Sequence, residues 1–351
     1  MSRRTMSPRH YAAAGTEAIV EAMRPSTQDP VIEARGVSFA YRARSGSAKT
    51  PHVAVRNVDL AVRRGEIYAL LGTNGAGKTT TLEVLEGHRA ATSGTITVLG
   101  GDPSDRRRIR PRMGIMLQDS GLAAELSVRE SVALAGAISG RGDDVDKLLD
   151  RVGISHRSRT RVAQLSGGEK RRVDFAMAVW GSPELVFLDE PTTGLDPAAR
   201  DALWTVVAEL KADGVTFLLT THYLEEAEKH ADRVGLMHAG SIRRQGTLAD
   251  LTEGGLSTIR FVPPGALDDI PIPLARTQNG LAVIETTDAQ RDLAALLEWA
   301  AGQGYPLRRL TVQESGLDDI FRALGHEAPG HEAPGREVPR NEAAAHEGTG
   351  L

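Results

Sequence analysis

The residues best suited to chemistry are Gly72-Thr73-Asn74-Gly75-Ala76-Gly77-Lys78-Thr79, which fit the phosphate-binding spacing G-x-x-x-x-G-K-[ST]. A triphosphate carries several negative charges and needs many positive partners in a small volume. Glycines let successive backbone N–H groups converge on it, and a helix start adds the positive end of a dipole. In this spacing Lys78 holds the β- and γ-phosphates and the Thr79 hydroxyl ligates Mg2+. The plainer reading is a glycine turn with no ligand. The flanks argue against it: residues 66–71 read as a buried parallel strand, and residues 80–86 as a helix that Gly87 can end.

Two adjacent carboxylates, Asp189 and Glu190, close the apolar run Leu185-Val186-Phe187-Leu188. Ligands bind at the strand ends of open α/β sheets. Asp189 is placed to hold Mg2+ through its water shell, and Glu190 to take a proton from an attacking water. Both acids could instead merely cap the turn Pro191-Thr192-Thr193-Gly194, a reading that the upstream phosphate loop weakens. A third motif is Leu165-Ser166-Gly167-Gly168-Glu169. Locally it is a capping box, Ser166 with Glu169, opening a helix over 170–180. Val173, Ala176, Met177 and Trp180 fall at core spacing there, and Lys170, Arg171 and Arg172 read as a solvated face. Bare glycines at a helix start also make an anion site, and the chain already holds a complete one. A second suggests that two copies share each nucleotide.

These groups need elements to position them. Residues 31–39 read as a strand; residues 53–62 read as a further strand pair, after a polar stretch at 42–51. Residues 94–100 read as another strand. Ser127 and Glu130 form a capping box for a helix to about Ser139, and residues 143–152 read as a second helix. Residues 185–188 and 215–219 are unbroken apolar runs, the mark of central parallel strands. Asp196 can cap a helix with Pro197 at its first position, where Leu203, Val206, Val207 and Leu210 make one core-facing stripe. Strands alternating with helices imply an α/β fold. After about Gly255, strands at 257–262, 281–286 and 307–312 and helices at 288–302 and 317–324 suggest a small α+β unit.

Composition excludes several classes. Aromatic residues make up 4%, too few for an extensive nucleic-acid stacking platform. Lys and Arg number 42 against 46 Asp and Glu, so no global positive field favours a nucleic-acid partner. The absence of cysteine rules out disulfides and thiolate metal sites. No apolar stretch nears the ~18–20 residues that span a bilayer. The N-terminus has charge but no continuous apolar region, so no secretory signal is expected. A membrane role would act through a partner.

Taken in order, Lys78 and Thr79, Gln118, residues 165–169, Asp189-Glu190, Gly194-Leu195-Asp196 and His222 resemble the full motif set of an ABC-type ATPase cassette, over about residues 31–245. The resemblance implies a P-loop NTPase fold with a mostly parallel sheet core, an antiparallel β subdomain and a helical subdomain. It implies ATP and Mg2+ as cofactors and a head-to-tail homodimer. Leu165, Ser166, Gly167, Gly168 and Glu169 of one copy would close on the γ-phosphate held by Gly72 through Thr80 of the other. Gln118 would touch Mg2+ and the attacking water, giving Thr79, Gln118 and Asp189 as the metal set. His222 would hydrogen-bond the γ-phosphate, so that Glu190, His222, Gln118 and Lys78 carry catalysis. Asp196 would cross the dimer interface. Tyr41 would stack on adenine, though a lone Tyr equally suits core packing. Thr73 stands where proline is common and Glu169 where glutamine is common; neither removes a phosphate donor. The organisation expected is a flexible extension at 1–30, a cassette at 31–256 with its helical subdomain near 119–165, an α+β domain at 257–325, and a disordered tail at 326–351. That tail repeats His-Glu-Ala-Pro-Gly, and nothing in it would fix a metal geometry.

A narrower resemblance is to ATP-binding subunits of ABC-2-type drug exporters of the daunorubicin/doxorubicin resistance kind. It rests on Leu85-Glu86-Gly87, Thr92-Ser93-Gly94, His222-Tyr223-Leu224-Glu225-Glu226-Ala227-Glu228, and Ser315-Gly316-Leu317-Asp318-Asp319-Ile320-Phe321. It implies export of a drug-like or lipophilic substrate through a separate transmembrane permease, contacted near residues 120–139, at the cytoplasmic face of the membrane. A soluble ABC ATPase acting on ribosomes or DNA is the alternative; those bring to mind two cassettes in one chain or a long coiled coil, and this chain has neither. A GTPase or small-molecule kinase would give residues 165–169 no role, and no Asn-Lys-x-Asp sequence appears. Arg106, Arg107, Arg108, Arg110 and Arg112 read as a solvated loop, or as a contact for anionic headgroups.

Overall fold

The computed structural model describes residues 30–42, 51–263, 270–273 and 276–326. The expected N-terminal extension up to residue 29, most of the polar stretch at 42–51 and the tail beyond residue 326 lie outside the described residues. The first elements in chain order are β1 (Pro30–Tyr41), β2 (His52–Arg63), β3 (Ile67–Gly72), α1 (Lys78–Leu85), β4 (Ser93–Val98), α2 (Arg106–Ile109), β5 (Met113–Met116), α3 (Val128–Ser139) and α4 (Val145–Arg151). They are followed by α5 (Gly167–Val179), β6 (Leu185–Asp189), α6 (Pro197–Ala212), β7 (Thr216–Thr221), α7 (Leu224–His230), β8 (Arg233–His238), β9 (Ser241–Gly246) and α8 (Leu248–Thr252). The last six are β10 (Ser257–Val262), β11 (Arg276–Gln278), β12 (Leu281–Thr286), α9 (Ala289–Gly302), β13 (Arg308–Gln313) and α10 (Leu317–His326).

A six-stranded sheet ordered β5-β6-β7-β3-β8-β9 forms the centre. Its first five strands run parallel, and β9 closes it antiparallel. Every residue of β3, β6 and β7 is buried, which is why their sequences are mostly apolar rather than alternating. One sheet face packs α5 and α6, with Phe175, Trp180, Leu203, Val207 and Phe217 in a single cluster. α5 approaches the sheet closely: a Cβ on Gly114 would stand 1.8 Å from the Ala178 carbonyl oxygen, so only glycine fits β5 there. The other face packs α1 and a three-stranded antiparallel sheet ordered β2-β1-β4, joined through Val37, Val55, Leu82 and Phe187. The strand pair expected at 53–62 is one strand. β2 stays paired with β1 across a register shift between Val37↔Val58 and Phe39↔Val55, and Asn57 sits there with φ 45°. A bulge absorbs the extra residue without a turn.

The C-terminal sheet, ordered β11-β12-β10-β13, is antiparallel throughout. Ile259, Phe261, Ile284 and Leu296 make its own small core beneath α9. α10 does not join that core. Leu317 and Ile320 belong to the main cluster, and α10 packs on α8, α7 and β8. The Leu317 N–H donates to Glu228 Oε1 at 2.7 Å, which ties α10 to α7.

Candidate functional site

Adjacent strands β6, β7 and β3 end on the same edge, because they are parallel. Their carboxyl ends deliver Asp189-Glu190, His222 and the phosphate loop together. Within that loop Gly72 has no room for a side chain, since a Cβ would lie 2.6 Å from the Met237 carbonyl oxygen. Gly75 and Gly77 take φ of 80° and 103°, which glycine adopts without strain. Gly77 caps α1 with no side-chain bond, which leaves first-turn N–H groups available to an anion.

Lys78 is buried, and its Nζ donates to the carbonyls of Gly72 at 2.8 Å and Thr73 at 3.4 Å. Nζ also stands 4.0 Å from Glu190 Oε1. Burial pulls the lysine pKa down, while Glu190 and Asp189 act against that. Asp189 is buried too. Burial pushes its pKa up, and hydrogen bonds from the Thr220 and Thr79 hydroxyls oppose the rise. A carboxylate beside a threonine hydroxyl gives oxygen donors of the kind a hard cation takes. Thr79 and Asp189 are too few for an all-protein cage, which suits Mg2+, a cation that keeps substrate phosphate and water as its other ligands.

Glu190 has the left-handed φ of 50°, uncommon for a residue with a side chain. Its N–H is held by Thr220, through the carbonyl at 3.2 Å and Oγ1 at 3.0 Å. Its Oε2 lies 3.4 Å from His222 Nδ1 and accepts from Thr193 Oγ1 at 3.4 Å. Lys78, Glu190 and His222 thus converge. Tyr41 is moored to α1, its Oη 3.1 Å from Thr80 Oγ1, and the Arg89 guanidinium lies 4.9 Å above its ring.

Other expected residues lie elsewhere. Gln118 sits in an exposed loop whose backbone shares the Arg171 guanidinium with Asp189, and among the described residues its side chain makes no hydrogen bond. Ser166 and Glu169 do form the capping box, with Glu169 N–H to Ser166 Oγ at 3.2 Å and Ser166 N–H to Glu169 Oε2 at 2.8 Å. Arg157 Nε donates to Glu169 Oε1 at 2.8 Å, and the Ser166 backbone bond leads the effects that hold that carboxyl below its usual pKa. A Cβ on Gly167 would meet nothing within 4 Å, so no described neighbour in the chain requires glycine there. Leu165 is buried, and Gly168 would set a Cβ 3.2 Å from the Gly194 carbonyl oxygen. No hydrogen bond among the described residues joins 165–169 to 72–80. Asp196 is exposed and caps α6, its Oδ1 accepting from Ala199 N–H at 2.9 Å.

Arg171, expected on a solvated face, is buried. Its Nη1 donates to the carbonyls of Leu117 at 2.7 Å and Gln118 at 2.9 Å. Its Nη2 donates to Glu190 O at 2.7 Å and to Asp189 O. Lys170 and Arg172 stay partly exposed, so only Arg171 turns inward, where its fork meets four carbonyls. Away from this edge, α3 and β5 flank a cavity of about 580 Å³ lined by Met113, Ile115, Leu122, Leu126, Leu134 and Ile138. Leu134 and Ile138 are 50% and 78% exposed, unusual for such side chains on a helix. Among the described residues no helix is long and apolar enough to cross a membrane.

Comparison with known proteins adds an independent finding. The family model for "ABC transporter" matches residues 55–193, and that for "ABC transporter domain-containing protein-like, C-terminal domain" matches residues 257–315. The chain is 35% identical to the daunorubicin resistance ATP-binding protein DrrA3 of Streptomyces coeruleorubidus over 283 residues, 76% of this chain and 90% of that protein. It is 37% identical to the doxorubicin resistance ATP-binding protein DrrA of Mycobacterium tuberculosis, covering 69% of this chain and 73% of that protein. It is 40% identical to the Nod factor export ATP-binding protein I of Rhizobium johnstonii, covering 60% and 67%. A solved ATP-binding subunit of an ABC transporter superposes with TM-score 0.58 at 30% identity, over 64% of this chain and 92% of that one. A dimeric post-hydrolysis cassette, MJ0796 with ADP and Pi, shares the fold at TM-score 0.57 and 23% identity, over 62% of this chain and 98% of that one.

Proposed function

This chain belongs to the ABC transporter family as an ATP-binding, ATP-hydrolysing subunit, and from that premise we propose that it powers export of a drug-like or lipophilic substrate through a separate transmembrane permease. The convergence of Lys78, Glu190 and His222 beside Asp189 and Thr79 is the observation that carries the hydrolytic part of this reading. The N–H groups of residues 75–80 and Lys78 grip the β- and γ-phosphates. Thr79 and Asp189 hold Mg2+, with Gln118 as the further ligand that the family resemblance supplies. When bound, the cation neutralises charge gathering on the phosphate oxygens. Glu190 accepts the proton of the attacking water, and His222, 3.4 Å from it, orients toward the γ-phosphate. Tyr41, fixed by Thr80, offers a ring to adenine.

The second phosphate-facing element needs a second copy. Gly167 is bare with open space before it, which fits a γ-phosphate arriving from a head-to-tail partner, with Asp196 at the same seam. MJ0796 is a cassette solved as a dimer, and the same pairing is proposed here. The cavity beside α3, with exposed Leu134 and Ile138, is the proposed permease contact, which would place the chain at the cytoplasmic face of the membrane. Drug-like cargo rests on what the relatives are named for. The β10–β13 unit is read as a separate domain carried by the cassette.

The test is Glu190→Gln. It should bind ATP and dimerise by light scattering, yet hydrolyse about 10²–10⁴-fold more slowly, the worth of a positioned general base. Turnover like that of the unsubstituted chain would remove Glu190 as the base.

A further inference from the structure

The hydrolytic chemistry above leaves several buried charges without a task, among them Glu226. Glu226 lies in the first turn of α7 and is 6% exposed. Burying a carboxylate is unfavourable unless its oxygens are well served. Here they serve three separate elements. Oε2 accepts from Thr192 Oγ1 at 2.8 Å and from Thr221 Oγ1 at 3.5 Å. Oε1 forms an ion pair with Arg200 Nε on α6 at 3.2 Å, without the geometry of a hydrogen bond.

Those partners are placed tellingly in the chain. Thr192 stands two residues after Glu190, in the turn that continues to Asp196. Thr221 directly precedes His222, and its Oγ1 also accepts the Tyr223 N–H at 3.0 Å. Arg200 lies 4.9 Å over the Tyr223 ring, so it covers the same loop from the far side. Both threonines are almost fully buried. Burial leads and raises the Glu226 pKa, opposed by the Thr192 bond and Arg200.

We propose that Glu226 is a positioning residue for hydrolysis: by joining Thr192 to Thr221 it holds the Glu190 turn in register with the His222 loop. It touches neither nucleotide nor water; it acts through Thr192 and Thr221. The inference rests on the ATPase reading of the site. Geometry matters at this scale, since a misplacement of about 1 Å between reacting groups can cost about 10²-fold in rate.

The experiment compares substitutions at Thr192 in the purified full chain, by steady-state ATP hydrolysis and thermal unfolding. Thr192→Val keeps the volume and loses the hydroxyl; Thr192→Ser keeps the hydroxyl and loses a methyl. Positioning through Glu226 predicts that Thr192→Val lowers kcat about 10-fold or more with KM for ATP within about 2-fold, and that Thr192→Ser stays near the unsubstituted rate. A packing role reverses that order and would overturn the proposal. Glu226→Met, which has no oxygen acceptor, should match Thr192→Val, and the double variant should be no slower than the worse single one, because both break one connection. Full additivity would also overturn it. Should Glu226→Met fail to fold, the Val and Ser pair still decides. Absence of hydrolysis in the unsubstituted dimeric chain would instead count against the ATPase reading.

Discussion

Arg171 shows how one side chain can organise a site without meeting the substrate. Its guanidinium collects the carbonyls of Leu117, Gln118, Asp189 and Glu190, so the loop bearing Gln118 and the end of β6 share one donor. Burial lowers its pKa, opposed by Asp174, Asp189 and Glu190, and a guanidinium stays charged regardless. Lysine carries the charge but not the planar fork. Arg171→Lys is therefore expected to lower stability by about 1.5–3 kcal/mol in urea unfolding and to slow ATP turnover, since two carbonyls lose charge-assisted bonds. The sequence could not mark Arg171 as the buried one. Lys170, Arg171 and Arg172 are consecutive cations, and only the turn of α5 toward β6 selects the middle one. Lys78, Thr79, Asp189 and Glu190 were legible because a short spacing carries their chemistry. Gln118 was singled out only by resemblance, since a lone glutamine in an exposed loop carries no local pattern.

Between elements, Glu184 joins three pieces of chain at the amino-terminal edge of the central sheet. Arg112 donates to it twice, at 2.6 and 3.0 Å, just before β5, and Arg64 once at 3.2 Å, between β2 and β3. The Arg112 bond leads the effects that hold the Glu184 pKa below the usual carboxylate value. A depressed native pKa gives stability that is present above the unfolded value of 4.5 and is lost as pH falls through the native one. Glu184→Gln should thus cost roughly 0.5–1 kcal/mol at pH 7, discounted for a partly exposed pair, and converge with the unsubstituted chain in acid, as read from urea titrations at both pH values. A gap that persists undiminished below the native pKa would contradict this. The helices and strands themselves were legible where their cause is local. Both expected capping boxes, at Ser127 and Ser166, form, and the apolar runs at 185–188 and 215–219 are central strands. The order β5-β6-β7-β3-β8-β9 was not legible, because pairing across distant strands leaves no spacing to read. Nor was the bulge at Asn57, which a one-residue register shift hides in an otherwise regular strand.

For the molecule as a whole, α10 is the notable connection. The sheet β11-β12-β10-β13 keeps its own small core, yet the helix that follows it leaves to finish the interior of the ATPase unit. Leu317 is fully buried there. Leu317→Ala should cost about 2–5 kcal/mol, the usual range for a leucine removed from a packed interior. Calorimetry should show the main unfolding transition moving to lower temperature; a shift confined to a separate, minor transition would mean that α10 belongs energetically to the small sheet. The helix at 317–324 was legible from its own pattern, but its docking site was not, since its amphipathic face does not name the surface it covers. One consequence concerns how the protein is made. A catalytic half completed by residues 317–326, which are synthesised long after its strands, keeps an apolar face uncovered until that helix is made. Copies interrupted or clipped before residue 317 are therefore expected to offer proteases a looser interior than copies that keep this helix.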